Sequence, residues 1–164
     1  MPKSTKRTPQ FWLMKSEPDV YSIDDLKKAD RGTWEGVRNY QARNHMRNMQ
    51  LGDLAFFYHS SVIPPGVVGL MRIGREAYVD ETQFDPKSPY YDDKSKPEAP
   101  RWDRVDVEFV EKFPEFVTLD QLKSDPKCQE MLVIKRGMRL SVQPVQAGEF
   151  NHVLRLAGSK TKLK

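Results

Sequence analysis

The sequence predicts a single α+β domain, a small mixed β-barrel-like body with peripheral helices, and three observations carry that expectation. Short apolar runs of strand length recur, at residues 11–14, 54–58 and 67–77. Short helical stretches stand between and after them, with capping residues at Ser22 and Thr118 and an apolar face in residues 147–156. At 164 residues the chain is long enough for one core of its own, and neither an internal repeat nor a convincing linker divides it.

The elements follow in order. Phe11-Trp12-Leu13-Met14 reads as a buried strand, stopped at Lys15-Ser16-Glu17-Pro18 because proline cannot donate to a ladder. Ser22 is placed to cap a short helix, with Asp25 three residues on at the positive end of its dipole and Gly32 after it. Residues 33–40 show no period and read as a shaped loop. Residues 41–50 are helix-permissive, with Met46 and Met49 on one face, and Gly52-Asp53 punctuates them. The continuous run Leu54-Ala55-Phe56-Phe57-Tyr58 is that of a strand covered on both sides. Ile63-Pro64-Pro65-Gly66 is a turn, and 67–77 a second strand forming a hairpin with the first. Residues 80–103 are rich in Asp, Lys, Pro and Tyr. An insertion of that length is usually functional or disordered, and Phe84, Tyr90, Tyr91 and Trp102 argue for an anchored loop. Val105, Val107 and Phe109 alternate with charged residues as a half-buried strand does. A short helix at 119–123 and another at 126–134, with Pro126 in its first turn, come next. Gly137 breaks the chain before a strand at 140–145 ended by Pro144. A last helix, 147–156, buries Phe150, Val153 and Leu154.

The formal net charge of +4 invites a nucleic-acid reading, but its distribution weakens it. Lys3, Lys6 and Arg7 lie in a basic tail at 1–10, and Lys160, Lys162 and Lys164 in another at 158–164; both are expected to be flexible. Without those six, 21 basic residues face 23 acidic ones, so the body is near neutral and has little with which to grip many phosphates. No apolar run is long enough to span a bilayer, and residues 1–10 lack the apolar stretch of a signal peptide, so neither a membrane partner nor export is expected. The lone Cys128 rules out an internal disulfide and suits a reducing, cytoplasmic compartment; a buried thiol is the expectation, a catalytic nucleophile the alternative.

Catalytic and cofactor signatures are missing. His45, His59 and His152 are far apart in sequence and none is near Cys128, so no metal is expected. There is no Gly-rich phosphate loop and no nucleophile elbow, hence no cofactor and no enzyme expected. What remains is a set of aromatic, amide and hydroxyl side chains at the ends of the expected strands.

Five phrases carry a resemblance: Trp12-Leu13-Met14-Lys15-Ser16-Glu17-Pro18, Gly36-Val37-Arg38-Asn39-Tyr40-Gln41-Ala42-Arg43-Asn44, Gly52-Asp53, Asp85-Pro86-Lys87-Ser88-Pro89-Tyr90-Tyr91 and Leu140-Ser141-Val142-Gln143-Pro144-Val145. Running in order from about residue 11 to 156, they resemble the EVE domain family. The resemblance implies one EVE domain over residues 11–157 with a PUA-like fold, a mixed β pseudo-barrel with peripheral helices related to YTH and ASCH domains. It implies recognition of a modified base, such as 5-methylcytosine, in DNA or RNA. It implies a cytoplasmic protein, or a nuclear one if the source is eukaryotic.

A base taken from its stack needs a flat aromatic partner, worth roughly 1–3 kcal/mol, and a few fixed polar groups at its edge. Trp34 is the first choice of partner, with Tyr58 or Tyr90 as a second wall. Ser16, Asn39, His59, Ser60 and the Ser141, Val142 and Gln143 rim supply the edge, Val37 completes the pocket, and Lys15 and Arg38 are placed for the adjoining phosphate. Each has a plainer reading: Trp34 as core, Asn39 as the cap of the following helix, His59 as a structural histidine. Two other functions stay open, an enzyme using His59 and Glu17, and a protein-interaction domain acting through residues 80–103. The sequence does not fix the oligomeric state; a monomer is the expectation.

Overall fold

The structure, a computed structural model, describes residues 8–163. Residues 1–7 and Lys164, parts of the expected basic tails, lie outside the described residues. The strands are β1 (Phe11–Ser16), β2 (Arg31–Trp34), β3 (Leu54–His59), β4 (Gly66–Val79), β5 (Asp103–Thr118) and β6 (Val142–Val145). The helices are α1 (Ile23–Ala29), α2 (Tyr40–Asn48), α3 (Leu119–Ser124) and α4 (Ala147–Leu156).

All six strands form one mixed sheet in the order β2-β5-β4-β3-β1-β6. Only β1 and β3 run parallel, with Trp12 opposite Ala55 and Met14 opposite Phe57; the other pairs are antiparallel. The period of two sends alternate residues to opposite faces. Trp12, Met14, Ala55 and Phe57 enter one core with α1 and α2, while Leu13, Phe56 and Tyr58 enter a second with α3 and α4. This double covering is why 54–58 is apolar without a break. Phe56 stacks on Phe150 of α4, ring centroids 3.9 Å apart, and burying such a ring contributes about 1.5–3 kcal/mol. Both edge strands reach the first core, β2 through Trp34 and β6 through Val142, so the sheet wraps around it as a pseudo-barrel does.

The helix starts follow their local chemistry. Ser22 and Asp25 form a reciprocal capping box on α1, and Thr118 and Gln121 do the same on α3. Four segments differ from expectation. Thr33 and Trp34, read as loop, belong to β2, a four-residue edge strand made by pairing with β5, Trp34 opposite Val105. Residues 126–134 are two 3-10 turns, Pro126–Cys128 and Leu132–Ile134. Their inward residues Cys128, Met131 and Val133 are three and two apart, a spacing that no continuous helix turns to one side. Pro144 does not end β6 but sits within it, which an edge strand tolerates. The segment after α4 is tied down: the Ser159 and Thr161 hydroxyls and the Lys160 N–H all donate to Glu111.

The long insertion is folded around one buried amide. Gln83 donates to the carbonyls of Asp80 and Trp102 and accepts from Ser95 and from the N–H groups of Arg101 and Trp102. Trp102 in turn stacks on Tyr40, centroids 4.7 Å apart, and donates its indole N–H to Asp92. The loop therefore has its own hydrogen-bonded interior, which satisfies the backbone groups that a strandless segment leaves unpaired.

Candidate functional site

A cavity of about 580 Å³ opens where the parallel strands β1 and β3 end, within the range of about 300–1,000 Å³ typical of small-molecule sites. Lys15, Ser16 and Glu17 line it from the end of β1, and Ser60 from just beyond β3. Residues 33–38 form a second side, Arg139 and Ser141 a third, and Tyr90 reaches in from the long loop.

Trp34 is at once core and cavity lining. It is 6% exposed and meets Phe57 and Tyr21 edge-on at 5.2 and 6.5 Å between centroids. Tyr21 also lines the cavity and stacks on Phe57 at 6.2 Å. The two readings of Trp34 therefore describe different parts of one ring system.

The wall beside Tyr90 is built on a buried carboxylate. Asp80, whose side chain has no exposed surface, accepts from the Gly36 N–H at 2.9 Å, from the Thr82 N–H at 2.9 Å and from Arg38 at 3.1 Å. Burial alone would raise its pKa, but these bonds outweigh burial and hold it below the ordinary carboxylate value. Arg38 binds the Tyr90 carbonyl through Nε and Nη2, Asp80 and the Val37 carbonyl through Nη1, and Thr82 through Nη2. These contacts use every donor of the guanidinium, so none is left for the phosphate expected of it. Arg38 thus clamps the Tyr90 backbone to the 36–38 segment. Gly36 has φ +84°, and a Cβ there would lie 2.7 Å from the Tyr90 ring. The ring is pressed flat against bare backbone.

The opposite rim is held by its main chain and leaves the Ser60, Ser141 and Arg139 side chains without a partner among the described residues. Ser60 N–H donates to the Ser16 carbonyl, and Lys15 N–H to the Ser141 carbonyl. Ser16 Oγ donates to the Tyr21 carbonyl at 2.7 Å. Among the described residues, the hydroxyls of Ser60 and Ser141 and the Arg139 guanidinium have no hydrogen-bond or ion-pair partner. Lys15 Nζ lies 5.7 Å from the centre of the Tyr58 ring, and burial lowers its pKa.

The structure thus brings Lys15, Ser16, Trp34, Val37, Arg38, Ser60, Tyr90 and Ser141 together, and leaves five expected residues outside the cavity lining. Asn39 caps α2 by accepting from the Ala42 N–H. Tyr58 turns into the second core, where burial pushes its phenol up to about 12. His59 Nε2 accepts from the Ile23 N–H at 3.1 Å, at the first turn of α1. Val142 is core, and Gln143 is buried with its amide on the Leu140 carbonyl. The side chains of a strand alternate, so Ser141 faces the cavity while its neighbour Val142 cannot. Tyr21, Gly36 and Arg139 line the cavity without having been singled out in the sequence. Tyr21 precedes the Ser22 cap and reads locally as a residue packing against the helix start; only the arrival of Trp34 makes it part of a site.

Glu17 lines the cavity and His59 does not, so no acid–base pair of these two meets there. Elsewhere the structure does bring Cys128 to a histidine: Asp125, Cys128 and His152 offer ligand atoms within 4.8 Å of one another. His152 Nε2 and Asp125 Oδ2 are engaged with each other at 2.7 Å. Burial, aided by the charges of Asp125 and Glu149, pushes the thiol to about 11. Cys128 is therefore a protonated, fully buried thiol, and none of the three lines the cavity. Among the described residues, no helix is long and apolar enough to cross a membrane.

The EVE domain family matches residues 10–156. Human Thymocyte nuclear protein 1 is 44% identical over 169 residues, a match covering 92% of this chain and 75% of that protein. A solved structure of a protein from Pseudomonas syringae is similar with a TM-score of 0.88 and 44% identity, over 90% of this chain and 99% of that one. The structure of human THYN1 in complex with 5-methylcytosine-containing DNA is similar with a TM-score of 0.86 and 44% identity, over 93% of this chain and 99% of that one.

Proposed function

The chain belongs to the EVE domain family, and from that membership we propose that it is a non-catalytic reader that holds one modified base of DNA, with 5-methylcytosine as its ligand. The observation that carries this reading is the cavity itself, backed by Trp34 and Tyr21 and rimmed by the unpartnered hydroxyls of Ser60 and Ser141. A relative 44% identical to this chain along nearly its whole length is solved with 5-methylcytosine-containing DNA.

The chemistry suits a flat heterocycle. The aromatic side chains offer surface against which a base packs, the free hydroxyls donate to or accept from its edge, and Val37 offers apolar surface for a methyl group. Extruding a base costs a few kcal/mol, so single strands and weakened pairs are the favoured substrates. Binding rather than turnover is supported by the separation of His59 from Glu17. The interaction-domain alternative is less favoured because the long loop is turned inward, on Gln83 and Arg38, to build the cavity wall. The place of action is wherever DNA is accessible, the cytoplasm of a bacterium or the nucleus of a eukaryote.

The test is binding of a single-stranded oligonucleotide carrying one 5-methylcytosine, against its unmodified twin, by fluorescence polarisation. Wild-type protein is expected to favour the methylated strand. Ser60→Ala and Ser141→Ala are each expected to weaken binding by about 0.5–1.5 kcal/mol, the usual net worth of one hydrogen bond, with stability changed by less than about 0.5 kcal/mol. Trp34→Ala is a poor probe, because so buried an indole is expected to take about 3–5 kcal/mol of stability with it. Equal affinity for the two strands would sink the reading.

A further inference from the structure

We propose that a second, purely cationic cleft beside the base cavity holds the phosphodiester backbone flanking the bound nucleotide. The proposal rests on the base-reader function and adds where the strand runs. The cleft, of about 560 Å³, is lined by Lys15, Lys123, Lys135 and Arg136 over an apolar bottom that includes Tyr58 and Val133. Among the described residues no carboxylate lines it.

Two observations join it to the cavity. Lys15 lines both, with its Nζ on the cleft side, 5.7 Å from the centre of the Tyr58 ring. Arg139, on the cavity side, is three residues along from Arg136, on the cleft side.

The charges are also available. Much of the guanidinium charge elsewhere is internally engaged: Arg38 by Asp80, Arg47 by Asp103, Arg31 and Arg72 by Glu108. Of the cleft residues, Lys135 lies 3.9 Å from Glu130 and donates to the Gln129 carbonyl, so it contributes least. Lys15, Lys123 and Arg136 have no ion-pair partner among the described residues. Lys15, Lys123 and Arg136, with Arg139 on the cavity side, thus place unpaired positive charge next to the cavity. A base delivered into the cavity carries its two flanking phosphates with it, and this is the side with cations to receive them.

The test compares the Lys123→Gln/Arg136→Gln double variant with wild type on the methylated and unmodified oligonucleotides, across a salt series. A charge-matched control, Lys94→Gln/Lys160→Gln, lies outside both cavity and cleft. The cleft variant is expected to bind both strands more weakly by the same factor, with the log–log salt slope shallower by about 0.7 for each phosphate that is no longer neutralised. The control is expected to change far less. An unchanged affinity and slope, or an equal loss in the control, overturns the cleft while leaving the base reader standing. A loss confined to the methylated strand also overturns it, since the charges would then be acting on the base. A wild-type protein that binds neither strand at low salt removes both the reader and the cleft.

Discussion

The two sides of the proposed base cavity are held in opposite ways. On one side, Asp80 and Arg38 direct their hydrogen bonds inward, to Gly36, Thr82 and the Tyr90 carbonyl. On the other, the backbone bonds between Ser16 and Ser60 and between Lys15 and Ser141 fix the rim, and among the described residues the Ser60, Ser141 and Arg139 side chains have no hydrogen-bond or ion-pair partner. Charge on the first side is structural material. Charge on the second is available to a ligand. The lesson is that a sequence count of basic residues says little about binding until each one's partner is known.

Substitutions that break this contrast should separate stability from binding. The largest effect is expected from Asp80→Ala, which leaves the Arg38 guanidinium and the Gly36 N–H without their acceptor. Breaking a buried pair from one side costs about 3–5 kcal/mol, to be read from the midpoint of urea denaturation; a loss below about 1 kcal/mol would mean that the carboxylate is dispensable to the wall. Gly36→Ala comes next. It places a side chain at φ +84° and drives a Cβ into the Tyr90 ring, an expected cost of about 1–3 kcal/mol, with oligonucleotide binding weakened because Tyr90 must move. Full binding by a folded Gly36→Ala protein would show that Tyr90 is not part of the ligand's wall.

The smallest effect sharpens the place of His59. Burial lowers its pKa, with Asp24 opposing and Lys112 assisting, and its Nε2 accepts from the Ile23 N–H. A folded pKa below the unfolded value of about 6.5 means that folding favours the neutral ring. Its stabilising contribution is therefore full above that value and is lost as pH falls through the folded one. The difference in melting temperature between wild type and His59→Ala should narrow as pH is lowered from about 8 to 5. A gap that stays constant would remove the neutral imidazole from the account of α1.

Much of the fold was legible because its signals are local. Ser22 and Asp25 announce α1, the unbroken run in β3 announces a strand covered on both faces, and Phe150, Val153 and Leu154 announce the inner face of α4. Four of the five motifs resembling the EVE family contribute residues to the cavity lining and Gly52-Asp53 does not, and residue by residue the cavity was only partly legible. Ser16, Ser60 and Ser141 could be named from their positions at strand ends. His59 and Asn39 looked equally suitable, and each is engaged at a helix start instead. Tyr21 and Arg139 gave no local sign at all.

The sequence by itself determined the alternation that fills two cores, the caps that begin the helices, and the segments from which a site is drawn. Those follow from periodicity and short-range hydrogen bonding, which a few neighbouring residues are enough to specify. Only the tertiary structure decided that Arg31-Gly32-Thr33-Trp34 becomes the edge strand β2, that Arg38 holds a wall rather than a phosphate, and that Lys15 lines both a cavity and a cationic cleft. Those outcomes depend on partners far away in sequence, Val105 for Trp34 and Asp80 for Arg38. Whether a polar group is free or engaged is settled only once the chain has brought such partners to it.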